Sequence, residues 1–410
     1  MNSLTTSIKA HWQNLTFGAY CISTLFILIF SIEAINDWHP LAKKCSILFA
    51  CILPSGMVIL RHMPNWFKSK GLPIEIKWVI LLLLLGVICS IFSLNQWATL
   101  KSTILFIFSG PLIFITSKLL LRSKKDREMF LIITSLILLS IGCFGLYEHI
   151  FSENILLFSN NPLPASALLL LLSAPPTILL SRKNRSTLKY FYGLSLAFSA
   201  GLIILLAKKS MILGILFMTS YFISFKISKK SRLLFLFLIM AGIAVTFTSK
   251  NISNLNLGDS YSLRLESYLF GVQVFKENPL LGVGFKANFI PYLDGYDPVI
   301  ANKSSEDLFY RFFKLNQTFE NIVLGFLIEF GGLFTILYFG GLLYFIIEKF
   351  KKNKTINSQK EYLIITVVFI GFAAMSFAFE TLRFPNLNWV FHSLLGLLLA
   401  NIPTGQHNNS

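Results

Sequence analysis

Long apolar runs alternate with short clusters of lysine and arginine along the whole of this 410-residue chain. Hydrophobic residues make up 54% of the chain and charged residues only 13%, whereas a soluble domain carries roughly 25% charged residues. Because backbone polar groups in lipid must be satisfied within their own segment, each apolar run is predicted to form a helix. The pattern predicts an all-α, polytopic membrane protein of about 12 transmembrane helices.

The predicted spans can be read from the apolar runs, with kinks expected where Pro111 and the pair Pro175–Pro176 fall inside them. Transmembrane helices 1–9 are predicted in residues 1–248, a large hydrophilic segment in 249–318, helices 10–12 in 319–403, and a polar tail in 404–410. The individual spans are 15–34, 45–60, 78–93, 102–121, 129–150, 165–180, 190–207, 210–225, 233–248, 321–347, 362–380 and 388–402.

Lysine and arginine are concentrated in every second connection between the predicted spans, which indicates the orientation of the chain. Cytoplasmic loops of membrane proteins carry the excess of these residues. The connections that are rich in lysine and arginine follow the second, fourth, sixth, eighth and tenth predicted spans. Both termini are therefore predicted to be cytoplasmic, and residues 249–318 are predicted to form a loop on the outer, periplasmic face.

The outer segment has structural signals of its own. From Ser260 to Glu277 the apolar residues recur at helical spacing, and Asn278–Pro279 then ends the helix. Gly282-Val283-Gly284 predicts a tight turn. The segment is predicted to contain an amphipathic helix that lies on the membrane surface.

Several classes of protein are excluded by composition. The net charge of +17 arises from basic residues at the ends of apolar runs, not from a basic face, so no nucleic acid partner is predicted. No Asp-x-Asp pair or His/Asp cluster suited to a metal ion lies on the predicted outer side, and neither a metal nor a cofactor is expected. Structural disulfides and zinc are not expected either, because all five cysteines lie in or beside apolar runs: Cys21, Cys45, Cys51, Cys89 and Cys143.

The stretch from Ser260 to Phe289 resembles the outer-loop signature of the O-antigen ligase and O-antigen polymerase superfamily. In that family an arginine opens an amphipathic helix, and a proline and a Gly-x-Gly turn follow about four helical turns later. Arg264, Pro279, Gly282 and Gly284 occupy these places.

Two further matches follow the order of the family, each with a departure. The start of the next predicted span carries Glu320-Asn321, where the family shows a His-Asn pair, and then Glu329 and glycines inside the helix. The turn at Lys208–Lys209 lies where the family usually has an arginine. The replacement of the histidine by Glu320 leaves a ligase and a polymerase both open.

The resemblance implies a glycosyltransferase of the bacterial inner membrane. Members of the superfamily move a glycan from a polyprenyl-diphosphate carrier to a hydroxyl acceptor, which is another saccharide for a polymerase and the lipid A-core for a ligase. The implied partners are this lipid-linked donor, one of these acceptors and the membrane lipids. Because a diphosphate leaves in the reaction, fixed cations are expected to stabilise the growing negative charge in place of a metal.

Each candidate site residue also has a plain structural interpretation. Arg264 could contact the diphosphate or extend to lipid headgroups as an interfacial arginine. Lys209, beside Lys208, could serve as a second cation or lie in an ordinary turn. Glu320 could be the base that takes the acceptor proton or a carboxylate that stabilises a helix start. The candidate catalytic residues are Arg264, Glu320 and Lys209, and the candidate substrate-binding residues are Lys208, Arg311, Asn321 and Arg383.

Two other functions remain open from sequence. A transporter or lipid-linked oligosaccharide flippase would be expected to have internal repeats, broken helices at mid-membrane and ionisable residues along a pore. The sequence has no evident repeat, and its candidate site residues lie towards the predicted outer face and not along a pore. A scaffold in an envelope complex is the third alternative.

Overall fold

A computed structural model describes residues 2–29, 40–68, 71–152, 162–182, 188–205, 258–286, 289–299, 309–310, 319, 321–352, 356–377 and 380–400. Every regular element in these ranges is helical. The α-helices are α1 (Asn2–Ile29), α2 (Pro40–Lys68), α3 (Ile74–Ile91), α4 (Gln96–Ser109), α5 (Pro111–Leu120), α6 (Lys124–Ser152), α7 (Pro162–Leu172), α8 (Ala174–Ser181), α9 (Leu188–Leu205), α10 (Gly258–Glu277), α11 (Ile290–Leu293), α12 (Ile322–Lys352), α13 (Ile356–Ser376) and α14 (Pro385–Leu399). A 3₁₀ turn at Thr381–Arg383 joins α13 to α14.

The all-helical fold predicted from sequence is confirmed for the described residues, and each predicted span within them falls on a helix or on a pair of broken helices. Five of the helical stretches are long and apolar enough to cross a membrane: Ile74–Ile91, Gln96–Leu120, Lys124–Glu148, Pro164–Ser181 and Ile322–Lys349. The predicted spans 210–225 and 233–248 lie outside the described residues, so the total of about 12 stays a prediction.

Both predicted proline kinks are present as breaks between helices. Gly110 separates α4 from α5, and Pro111 is in the first turn of α5. Ser173 separates α7 from α8, which carries Pro175 and Pro176 near its start. Proline fits the first turn of a helix because the N–H that it lacks has no partner there in any case.

The central packing is between α5 and α14, and small residues allow the two helices to approach closely. A Cβ on Gly396 would lie 2.4 Å from the Cβ of Ser117, and a Cβ on Gly110 would lie 2.5 Å from the amide of Asn388. Helices in lipid associate through such close contacts because lipid supplies no hydrophobic drive between them. The break at Gly110 is closed from α14, where Asn388 Nδ2 donates to Phe106 O at 2.8 Å.

Ion pairs join helix ends that sequence analysis placed on one face of the membrane. Arg182, after α8, binds Glu128 of α6 and Glu361 of α13, both at 2.8 Å. Arg127 binds the same Glu361 at 3.0 Å. These three helix ends therefore lie together, as the alternation of spans predicted. That this face is the cytoplasmic one stays a prediction.

The described residues within 258–319, which we call the outer segment after their predicted location, have a small core of their own. Helix α10 buries Phe270 and Val274 against Phe289, Tyr296 and Phe309. Ile328 of α12 belongs to the same cluster. The helix predicted over Ser260–Glu277 is present. Its buried face packs on apolar residues that follow it in the chain, whereas the sequence predicted that this face would lie on the membrane surface. Leu269 and Val272 remain exposed on the other side.

Candidate functional site

Helix α12 is broken in its first third. Gly331 has φ 77° and ψ 172°, outside the helical region, although helical residues precede and follow it. A break of this kind leaves carbonyl and N–H groups without their partners one turn away. At membrane depth such groups must find partners within the protein.

The outer segment supplies those partners. The N–H groups of Val283 and Gly284 donate to Ile328 O and Glu329 O at 2.9 and 2.8 Å. In return, Gly332 N–H donates to Pro279 O at 2.8 Å, and Leu333 N–H donates to Leu280 O at 3.4 Å. We call this exchange between Pro279–Gly284 and Ile328–Leu333 the loop–helix junction. It joins two of the segments through which the sequence resembles the superfamily.

Glycine is required on both sides of the junction. Gly282 and Gly284 have φ of 67° and 109°, a region that residues with a Cβ rarely adopt. A Cβ on Gly282 would lie 2.5 Å from Gly331 N, and one on Gly331 would lie 2.2 Å from Leu280 O. The chain turns at residues 279–281 and bends at Val283, so the predicted turn is present but begins three residues before Gly282.

A cluster of three charged side chains lies beside the junction. Arg383 donates to Glu380 Oε2 from Nη1 at 2.7 Å, and its Nη2 lies 3.1 Å from Glu329 Oε1. Glu329 and Glu380 are buried. Although burial disfavours the guanidinium charge, the carboxylates of Glu329 and Glu380 outweigh it and raise the pKa of Arg383. With both carboxylates ionised, the Glu329–Arg383–Glu380 cluster has a net charge of −1.

The two carboxylates also hold the backbone of the outer segment. Glu329 Oε1 accepts the N–H of Lys286 at 2.9 Å, just after the junction. Glu380 Oε1 accepts the N–H of Phe319 at 2.7 Å, just before α12. The cluster therefore holds the outer segment at two points, Lys286 and Phe319.

A shallow recess of about 10 Å³, which has room for about one water molecule, opens next to this cluster. Its polar lining comes from Ser102 and Ser109 of α4, Lys286 of the outer segment, Arg383 and Asn388. Its apolar lining is Leu105, Phe106, Phe285, Leu382 and Pro385. Of its two cationic side chains, Lys286 is exposed, whereas Arg383 is paired with Glu329 and Glu380.

Of the predicted site residues, Arg383 lies at this recess and two others lie elsewhere in the described part of the chain. Arg264 is half-buried on α10. Asn321 caps α12, because its Oδ1 accepts the N–H groups of Val323 and Leu324 at 3.0 Å each. Its Nδ2 donates to Phe377 O at 3.3 Å.

The remaining predicted residues, Glu320, Lys208, Lys209 and Arg311, lie outside the described residues. Their proposed roles stay predictions.

Lys286 was not among the site residues predicted from the sequence. A lysine two residues after a Gly-x-Gly turn has no pattern that separates it from any other loop lysine. Its backbone conformation and its contact with Glu329 depend on a helix that follows much later in the chain.

In the described part of the chain, no three His, Cys, Asp or Glu side chains gather in a way that could hold a metal ion.

The fold and the site together define a helical membrane protein whose outer segment is hydrogen-bonded into a broken helix. Residues 194–340 match the family model described as O-Antigen ligase, from within α9 to within α12. This match confirms the resemblance to the O-antigen ligase and polymerase superfamily over these residues. The match supports a membrane glycosyltransferase of this general type. Among curated proteins, no sequence matches the chain significantly.

Proposed function

We propose that this protein moves a glycan from a polyprenyl-diphosphate carrier to a hydroxyl acceptor at the periplasmic face of the bacterial inner membrane, without a metal ion. The observation that carries the proposal is the family match over residues 194–340. That stretch contains the outer segment, both sides of the loop–helix junction and the predicted residues Lys208, Lys209, Arg264, Arg311, Glu320 and Asn321.

The reaction needs charge stabilisation and one proton transfer. The acceptor oxygen forms a bond to the anomeric carbon, the bond from that carbon to the phosphate oxygen breaks, and the diphosphate leaves with the electron pair. Arg264 and Lys209 are proposed to stabilise the negative charge on the diphosphate. Glu320 is proposed to take the proton from the acceptor hydroxyl. Lys208, Arg311, Asn321 and Arg383 are proposed to line the substrate site.

Deletion of the gene, followed by gel analysis of the surface polysaccharide, tests the class of reaction. A core that bears a single repeat unit indicates a polymerase. Complete repeats that remain on the lipid carrier, with none attached to the core, indicate a ligase. A polysaccharide pattern identical to that of the parent strain would contradict both the polymerase and the ligase activity. It would favour a transporter or a scaffold instead.

Substitution of the candidate residues tests the mechanism. Arg264→Ala should lower the rate of glycan transfer at least about a hundredfold, because a cation that faces the leaving group acts mainly in the transition state. Glu320→Gln should also be impaired if its carboxylate is the base. Lys276→Ala is the matched control, since Lys276 is exposed at the end of the same helix as Arg264. Equal membrane levels must accompany the loss, and full activity in Arg264→Ala would refute the proposed role.

A further inference from the structure

Lys286 has a backbone conformation that is unusual for its residue type. Its φ is 57°, and it is the one non-glycine residue with positive φ in the part of the chain that the structure describes. The left-handed region is unfavourable for a residue with a Cβ and a long side chain. Such a conformation persists only where the surroundings impose it, and it is often found at functional sites.

The surroundings of Lys286 do impose it. Its N–H donates to the buried carboxylate of Glu329 at 2.9 Å. The residue before it, Phe285, is buried and stacks on Phe330 with a centroid distance of 4.6 Å. Gly284, one residue earlier, is hydrogen-bonded to the broken helix. The backbone at Lys286 is therefore fixed to α12 from three successive positions.

The fixed backbone presents the lysine side chain at the recess. The side chain is exposed, and its Nζ lies 5.8 Å from the centroid of the Phe285 ring. The buried Oδ1 of Asn388, also at the recess, has no hydrogen-bond partner among the described residues. The recess thus combines an exposed ammonium with a buried acceptor and apolar walls. An anionic group could contact the exposed ammonium at the mouth of this recess.

We propose that Lys286 binds a phosphate of the lipid-linked donor and that Glu329 is the positioning residue that holds it at the recess. This inference rests on the proposed function, because that function supplies the diphosphate. An ammonium is a compact charge suited to a phosphate oxygen. A lysine with only a solubilising role would not need a left-handed backbone, since any exposed loop position would serve.

Replacement of Lys286 by glycine separates function from stability. Glycine adopts positive φ without strain, so Lys286→Gly should have a melting temperature in detergent equal to or above that of the wild type. Its KM for the donor should rise about tenfold or more, the expected loss for one charge-assisted hydrogen bond. Polyprenyl diphosphate should raise the melting temperature of the wild type but not that of Lys286→Gly. Lys286→Arg should keep most of both properties, and Lys276→Ala is the matched control on the same outer segment.

The outcomes separate this inference from the proposed function. An unchanged donor KM and an unchanged ligand-induced shift in Lys286→Gly, beside an active wild type, would overturn the role of Lys286 and leave the function standing. If the wild type transfers no glycan but its ligand-induced shift in melting temperature is lost in Lys286→Gly, the role of Lys286 stands and the proposed function is overturned. A marked fall in melting temperature in both Lys286→Gly and Lys286→Asn would make the lysine structural and also overturn the inference. If inorganic diphosphate raises the melting temperature as much as polyprenyl diphosphate does, the site does not select the lipid-linked donor, and that part of the inference is overturned.

Discussion

A single guanidinium holds two buried carboxylates next to the loop–helix junction. Arg383 binds both Glu329 and Glu380, and each carboxylate also accepts a backbone N–H from a different part of the outer segment. The cation therefore does more than neutralise charge. It keeps in place the two acceptors that hold the outer segment at Lys286 and Phe319.

Loss of that cation should be severe. Arg383→Leu leaves two buried carboxylates close together without a counter-charge, and removal of one partner from a buried pair typically destabilises by about 3–5 kcal/mol. The melting temperature of the purified protein, followed by tryptophan fluorescence, should fall markedly. The double variant Arg383→Leu/Glu329→Gln should recover part of the loss, because one of the repelling charges is gone. A single variant as stable as the wild type would show that the cluster is not structurally important.

At this scale the sequence predicts residue types better than partners. A carboxylate within an apolar span normally has a buried partner or faces a cavity, and Glu329 pairs with Arg383. The identity of the partner could not be predicted, because Arg383 lies after a further helix. Only the pairing of Glu380 with Arg383 is local, at three residues apart.

At the scale of elements, helix α12 shows how one dipeptide can have two structural roles. It contains Gly331-Gly332 and Gly340-Gly341, two similar pairs in similar apolar surroundings. The first pair breaks the helix, whereas the second allows Trp78 of α3 to approach and donate to Leu337 O at 2.9 Å. The sequence of the helix does not distinguish them. The difference comes from what packs against each pair, which is the turn of the outer segment in one case and an indole in the other.

The first pair can be tested by substitution of Gly331. Gly331→Ala places a Cβ 2.2 Å from Leu280 O at a residue with φ of 77°, so the junction must open or shift. We expect a loss of about 2 kcal/mol or more in stability, together with faster proteolysis of the outer segment. Gly340→Ala is the matched control on the same helix, since nothing lies within 4 Å of its added Cβ. Equal behaviour of the two variants would contradict the junction.

The second pair allows an even closer comparison, between adjacent residues. Gly341→Ala would place a Cβ 2.1 Å from Trp78 Nε1, while Gly340→Ala meets open space. We expect the former to lower the melting temperature by several degrees, through separation of α3 from α12, and the latter to leave it unchanged or slightly raised. A ranking in the reverse order would show that α3 and α12 do not pack as described.

At the scale of the whole molecule, the alternation of helix ends agrees with the positions of the basic residues. Arg127, Arg182 and Glu361 meet at one end of the bundle, and the cluster of Arg383 lies where α13 turns into α14. Periodic charge along the sequence predicts this arrangement, since it requires only the count of crossings between clusters. The junction was not predictable in this way, because hydropathy treats α12 as one continuous span.

Sidedness can be measured with single cysteines in a background that lacks the five native ones. Lys276→Cys should react with a membrane-impermeant maleimide in cells whose outer membrane is permeable. Lys125→Cys should react only after the inner membrane is opened. Both lysines are exposed, so access to the thiol itself is not limiting. Labelling of the Lys125 position in cells with an intact inner membrane would reverse the predicted orientation.

Metal independence is part of the proposed function and can be tested directly on the purified protein. We expect that prolonged treatment of the purified protein with EDTA leaves the rate of glycan transfer unchanged, because fixed cations are proposed to stabilise the leaving diphosphate. Addition of Mg²⁺ or Mn²⁺ to the treated protein provides the control. A loss of activity that either ion restores would contradict this part of the proposal.

The junction also bears on how the protein is made. A helix with a gap at Gly331 cannot rest alone in lipid, since each unsatisfied backbone group there costs several kcal/mol. The turn that fills the gap is synthesised first, because Pro279–Gly284 precedes Ile328–Leu333 in the chain. If that turn crosses the membrane before α12 is synthesised, the backbone groups that bond to the gap in α12 are already present when this helix inserts.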